Sequence, residues 1–307
     1  MYPSLFDLHC DTATALFKSR QSLKDNDLHI SLKKASVFRS YRQVLAIWSD
    51  NALDDETAFQ RFLAISKFLH GELAQKELGF PLLTSGRRLP ERGALLSVED
   101  ARILGGSRDR LAVLYAHGVR LLTLVWHGES CIGGAHNTKA GLTPFGKQVV
   151  KDCFTFGIVP DISHASTGTA EDIFALAEAH KKPVIASHSN AFSVCSHSRN
   201  LSDRQFLKIK ELGGIVGLCL CPAHLSDDPK KADVEKILEH IEHFYALGGE
   251  DTLALGCDLD GTELPGGFSS IADLVLIAEE MAKHGYSDRQ IEKLFSLNAE
   301  NFVRKNI

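Results

Sequence analysis

The sequence contains no C-x-x-C pair, and its cysteines are odd in number. The seven stand at 10, 131, 153, 195, 219, 221 and 257, a scatter that excludes a disulfide framework or a structural zinc knuckle and reads as reduced, mostly buried thiols. Cys219-x-Cys221 fits the same account, as two thiols on one buried strand. No apolar run reaches the roughly 18 residues that span a bilayer. The chain opens on a strand-like segment, not on a basic stretch followed by an apolar one, so no membrane partner is expected and the expected location is cytoplasmic. There is no Lys/Arg-rich run and the net charge is −5, which leaves no electrostatic footprint for nucleic acid. Glycine-rich phosphate loops are missing too: G-x-G-x-x-G follows no strand and G-x-x-x-x-G-K-[ST] occurs nowhere, so nucleotide binding has little support. No G-x-S-x-G elbow surrounds Ser187 or Ser189, which argues against a serine nucleophile. No internal repeat, low-complexity tract or linker divides the chain. The expected partner is a small molecule.

What is present is an alternation. With 44% hydrophobic residues in 307, the chain can bury a large core. Apolar segments of strand length lie at 5–12, 43–48, 93–99, 119–125, 158–164, 183–188, 213–220 and 252–258. Helical patterns separate most of them, at 55–77, 110–117, 141–154, 167–180, 201–212 and 234–247. Residues 13–24 read as a short helix or loop, and helices at 268–284 and 287–303 close the chain. Asp54 and Asp55 sit where a helix start favours negative charge, Ser202 and Asp203 are plausible caps, and Gly118 is a suitable stop. Eight strands alternating with helices predict an α/β protein, a single (β/α)8 TIM barrel domain over residues 1–307, with its site at the C-terminal ends of the strands. The 195–200 and 221–232 stretches become loops over the mouth.

Those strand ends are polar. Strand one supplies His9 and Asp11, which share a face if the segment is fully extended. Strand three supplies Glu99, strand five His164, strand six His188 and strand eight Asp258. Imidazole nitrogens and carboxylate oxygens suit a borderline divalent cation such as zinc, and three of each suffice for two ions. Glu99, with two oxygens and a place between the other groups, suits a bridging role. His29, His70, His180, His240, His243 and His284 are assigned to surface or packing; His136, His197 and His224, in mouth loops, are left open.

Read together, Asp7-Leu8-His9-Cys10-Asp11-Thr12, Leu96-Ser97-Val98-Glu99, Gly118-Val119-Arg120-Leu121-Leu122-Thr123-Leu124, Gly141-Leu142-Thr143-Pro144-Phe145-Gly146, Asp161-Ile162-Ser163-His164, Ser187-His188-Ser189-Asn190-Ala191, Ser198-Arg199-Asn200-Leu201 and Gly256-Cys257-Asp258-Leu259-Asp260-Gly261 resemble, in that order, the membrane (renal) dipeptidase family of the metal-dependent amidohydrolase superfamily. The resemblance covers nearly the whole chain. It implies two zinc ions, one held by His9, Asp11 and Glu99, the other by Glu99, His164 and His188, with Glu99 bridging. It also implies that Arg199 binds the substrate's carboxylate, a role that suits a planar guanidinium fork. Family members carry a substrate-contacting histidine directly after Leu-Thr-Leu-Thr. Here Val125-Trp126-His127 stands instead, so His127 is displaced by one position.

The expected reaction is hydrolysis of a dipeptide by a metal-bridging hydroxide, with Asp258 as proton shuttle. The alternative is another amidohydrolase activity on the same ions, such as hydrolysis of an N-acyl amino acid, a cyclic amide or a lactone. His-x-Asp in place of His-x-His on strand one, and no strand ending in lysine, favour the dipeptidase branch. A catalytically silent barrel is disfavoured because all five proposed ligands and Asp258 are present. Assembly as a homodimer is compatible with this reading.

Overall fold

A computed structural model describes residues 3–307. Its strands are β1 Leu5–Cys10, β2 Tyr41–Trp48, β3 Arg92–Glu99, β4 Val119–Thr123, β5 Val159–Asp161, β6 Val216–Leu218 and β7 Leu253–Leu255. They are buried on both faces and read as near-continuous apolar runs, as parallel strands covered by helices must. β1 to β5 form one sheet in sequence order and β6 and β7 a second, with every pairing parallel. Between successive strands the chain returns through helices such as Asp55–Leu73, Pro144–Phe156, Thr167–His180, Asp203–Glu211 and Val234–Ala246.

The eight regular strands expected from the sequence are not all found among the described residues. The segment expected as strand six, 183–188, contributes single bridges, from Ile185 to Asp161 of β5 and from Ala186 to Val216 of β6. Two local causes are visible. Pro183 has no N–H to give a ladder. The Ser187 carbonyl is also pressed against the backbone of Gly217 and Gly256, where an added Cβ would lie 2.0 and 1.8 Å from its oxygen. A further bridge joins Cys10 to Leu259, so the edge of β1 meets the segment after β7.

The apolar core divides accordingly. Phe6, Leu8, Val44, Leu95, Leu121, Val159, Ile185, Ile215 and Ala254 pack together, drawn from every strand segment in turn, while a larger cluster fills the space between sheets and helices. Phe302 and Val303, from the last helix Asn298–Asn306, join the smaller cluster beside Leu83. The Val303 carbonyl lies against Gly86, ahead of β3. That helix therefore covers the N-terminal end of the strands and leaves the polar C-terminal ends as the open face.

Candidate active site

His9 and Asp11 converge, though not by simple alternation along a strand. The β1–β2 register shifts between Asp7 and Cys10, and Leu8 packs in the inner cluster while Cys10 packs in the outer one. Asp11 lies beyond the strand, at φ −95° ahead of the helix Thr12–Ser19. The turn brings its carboxylate back, so that ligand atoms of His9, Asp11 and Asp258 lie within 4.8 Å of one another. Backbone bonds from Asp11 N to Leu259 O (2.9 Å) and from Asp258 N to His9 O (3.1 Å) hold the two chain segments together. Asp260 binds the Thr12 hydroxyl at 2.6 Å and the His29 N–H at 2.6 Å, pinning the same joint.

Glu99, at the end of β3, is the centre of the second group. Its Oε1 lies 2.9 Å from His164 Nε2 and 3.4 Å from His188 Nε2, and its Oε2 lies 3.5 Å from His9 Nε2. The two Nε2 atoms of His164 and His188 are 3.0 Å apart. His164 Nδ1 bonds the Trp126 carbonyl at 3.1 Å, which aims Nε2 inward. His164 and Asp258 have φ of 68° and 60°, a left-handed backbone that costs a non-glycine residue about 1–3 kcal/mol and is held here by its surroundings.

Whether these residues fit a cation can be tested on polar atoms that nothing in the protein satisfies. His9 Nε2 and Asp11 Oδ1 are buried without a hydrogen-bond partner, an arrangement costing about 1–3 kcal/mol per group unless something else binds them. The charges argue the same way. Burial acts to lower the His9 pKa, but the carboxylates of Glu99, Asp258 and Asp11 outweigh it and raise it to about 10. Burial, reinforced by the Glu99 charge, pushes Asp11 well up. Asp258 is raised to about 7 by burial, against the pull of His9. Burial works against the Glu99 carboxylate, yet His9 and His164 hold it below the usual range. Three buried acids and the His9 imidazole thus crowd together and hold protons that they would not hold in water. A divalent cation meets the same demand with more charge, and its donor set of nitrogen and carboxylate oxygen is the one zinc takes. The residues fit.

Asp11, Glu99, His164 and Asp258 line a cleft of ≈ 590 Å³ whose walls include Trp48, Trp126, Cys221 and His224. Arg199 stands beside it, only 5% exposed, with Nη2 bonded to the His188 carbonyl at 3.3 Å and Nε buried without a partner. Burial, and then the Arg199 charge, lower the pKa of His164 to about 4 and of His224 to about 2.

His127, expected to contact substrate, is not brought into this group. β4 stops at Thr123, so the next residues follow no strand alternation. His127 is exposed, its Nε2 3.1 Å from Asn137 Nδ2, and the cleft position goes to Trp126. Of the histidines left open, His224 lines the cleft, while His136 lies near His164 with ring centroids 6.1 Å apart. Trp48 was missed, although it ends β2 and the rule that strand ends carry the site points straight to it. Cys219 is buried, with Sγ 3.9 Å from Asp258 Oδ2.

A cleft over the C-terminal ends of parallel strands, floored by clustered imidazoles and carboxylates, defines the class: an α/β protein with a metal-type ligand set. The chain belongs to the membrane dipeptidase family, peptidase family M19, whose sequence profile matches residues 3–305. It is similar to Dipeptidase tcpJ of Claviceps purpurea, 29% identical over 219 residues, which amount to 69% of this chain and 50% of the relative; the chain thus spans about half the length of that relative. Among solved structures it is similar to a metallo peptidase from Rhodobacter sphaeroides, bound to a phosphinate mimic of the dipeptide L-Ala-D-Ala, with TM-score 0.90, 23% identity and all of both chains covered. It is also similar to the M19 metallo peptidase dipeptidase AC, with TM-score 0.91, 24% identity and coverage of 100% of this chain and 99% of the other. These two likenesses carry the fold.

Proposed function

We propose that this protein is a zinc-dependent dipeptidase that acts as a single domain folded as a closed (β/α)8 barrel, with the 183–188 segment in the place of an eighth strand. His9, Asp11 and Glu99 would hold one ion and Glu99, His164 and His188 the other. Two such ions supply Lewis acidity, lowering the pKa of water and polarising the scissile carbonyl. The protein's own groups do the rest. Asp258 reaches the cleft beside His9 without belonging to the bridging set, so its carboxylate is free to take a proton from the attacking water and give it to the departing amine. Arg199 is a buried guanidinium with an unpaired Nε next to the ligand cluster. That is the observation that carries the reading, because a desolvated cation there calls for an anion close to the bond being broken, and the C-terminal carboxylate of a dipeptide lies one residue from its only peptide bond. Family membership and the phosphinate dipeptide mimic in the Rhodobacter sphaeroides relative support the same substrate. A reducing, cytoplasmic setting is part of this reading, supported by seven cysteines at spacings that suggest no pairing.

The test joins metal analysis to turnover. Two zinc ions per chain are expected, with activity lost on chelation and regained on adding metal. A panel of L-L and L-D dipeptides, N-acyl amino acids and lactones should show hydrolysis of the dipeptides. A preparation active without metal, or one that hydrolyses lactones and ignores dipeptides, would sink the reading.

A further inference from the structure

Behind the proposed ligands lies a pair of residues that neither touches the cleft nor faces solvent. Asp161, at the end of β5, accepts four hydrogen bonds. Its Oδ1 takes the backbone N–H groups of Ser163 and Ser187, both at 2.9 Å. Its Oδ2 takes the Thr123 hydroxyl at 2.7 Å and the Ser187 hydroxyl at 2.5 Å. Asp161 is 1% exposed and Ser187 2%. A serine hydroxyl has one proton, and here it goes to Asp161, so Ser187 Oγ is left only to accept. The donor nearest to it is His188 Nδ1 at 2.8 Å, with Ser163 Oγ at 3.3 Å and His9 Nδ1 at 3.4 Å further off. A neutral imidazole that keeps its proton on Nδ1 to donate this hydrogen bond has a bare lone pair on Nε2, and Nε2 of His188 faces Glu99 and His164.

We infer that Asp161 and Ser187 are positioning residues: the chain Asp161, Ser187, His188 fixes the histidine tautomer and thereby sets the affinity of the second metal position. This rests on the metal-centre reading above. Ser187 sits where a catalytic serine would be sought, beside a histidine and a carboxylate, but it is buried, its proton points away from the histidine, and it has no route to substrate. The arrangement has the logic of a carboxylate that orients a metal-bound histidine, here with a hydroxyl inserted between them.

Three variants separate the relay from mere packing. Ser187→Ala removes the acceptor that orders Nδ1–H, and second metal-ion affinity should fall about 10-fold. Asp161→Asn should cost about 100-fold, the upper end of that range, for a specific reason. Two backbone N–H groups fix the amide oxygen at the Oδ1 position, so the amide N–H faces Ser187, reverses its hydroxyl and forces the His188 proton onto Nε2. Thr123→Val removes a comparable bond to Asp161 that leads to no histidine, and should leave the affinity within about threefold, a span well below the second-shell range.

The readouts are stepwise Co2+ affinity, measured by competition with a chelating indicator, and the visible absorption spectrum of the Co2+ protein. The relay predicts loss of the second ion with retention of the first, and an altered spectrum in Ser187→Ala but not in Thr123→Val. Equal losses in those two variants, or parent-like affinity in Ser187→Ala, would overturn it, and that comparison decides the matter even if Asp161→Asn does not fold. A parent protein that binds two Co2+ ions yet cleaves no dipeptide removes the dipeptidase reading and leaves the relay standing. A parent that binds none overturns the relay as well.

Discussion

Replacing Glu99 by glutamine keeps the shape of the side chain and removes the charge that the two proposed cations would need between them. Both His164 and His188 lie within 3.4 Å of one Glu99 oxygen and His9 lies near the other. The variant should lose at least one ion per chain and nearly all turnover, and full metal content by elemental analysis would refute the bridging role. Arg199→Met is expected to keep its metal, because Arg199 is no ligand, while losing a desolvated charge pair of roughly 2–4 kcal/mol. Catalytic efficiency on a free dipeptide should fall about 30- to 1000-fold. A dipeptide amide is expected to be a poor substrate for the parent and should lose little further in the variant. Asp258→Asn should lose turnover on both substrates and still bind them; equal turnover by parent and Asp258→Asn would remove the shuttle. His9, Glu99, His164, His188 and Asp258 stood out in the sequence because each is an imidazole or a carboxylate at the end of a strand-like run, whereas Arg199, in a mouth loop, was singled out only by the family resemblance. The displacement of His127 by one position was legible, but its exposure outside the cleft was not. It depends on β4 ending at Thr123, whose hydroxyl goes to Asp161 while Leu124 N goes to the Asp161 carbonyl at 3.2 Å, and both are contacts between residues about 38 apart in sequence.

Among the elements, the helix Thr167–His180 has the bounds its pattern implied, and Ser202 caps Asp203–Glu211 through a reciprocal capping box with Gln205. Local signals were sufficient there. They were insufficient for the 183–188 segment, whose course depends on close approach to Gly217 and Gly256, and for the bent start of Asp11. The mouth loops also depend on distant contacts. Asn190 Nδ2 bonds the carbonyls of Cys219 and His224, and His240, on the helix Val234–Ala246, accepts the Ala191 N–H at Nδ1 (3.1 Å) and faces the Leu225 carbonyl with Nε2 (3.1 Å). That pattern needs a neutral ring, and burial lowers its pKa to about 4. The unfolded chain takes up this proton near pH 6.5 and the folded one only near 4. Its contribution is therefore fully present above pH 6.5 and is lost as pH falls from there to 4, by up to about 3 kcal/mol. Denaturant titrations of the metal-loaded parent and of His240→Gln across that window should show the shallower pH slope in the variant. Identical slopes would count against His240 as a buried neutral clamp.

For the molecule as a whole, stability and site chemistry should be separable, since they occupy opposite ends of the strands. Phe302 packs with the inner apolar cluster at the end away from the cleft. Phe302→Ala should cost about 3–5 kcal/mol of unfolding free energy and leave turnover per folded molecule unchanged; a drop in kcat at full foldedness, checked by circular dichroism, would show that the two ends are coupled. The joint between β1 and the segment after β7 has a further consequence, one of timing. Asp7 receives the Cys257 N–H across 250 residues of sequence, and His9 and Asp11 wait as long for Asp258. At about 5–20 residues per second of synthesis, His9 and Asp11 leave the ribosome some 12–50 s before that partner exists. During that interval the nascent chain would offer a cation two of the proposed donors on an unpaired strand edge, a weak and unselective trap, so under the proposed metal assignment the choice of ion would be made only after the last strand has closed over the first.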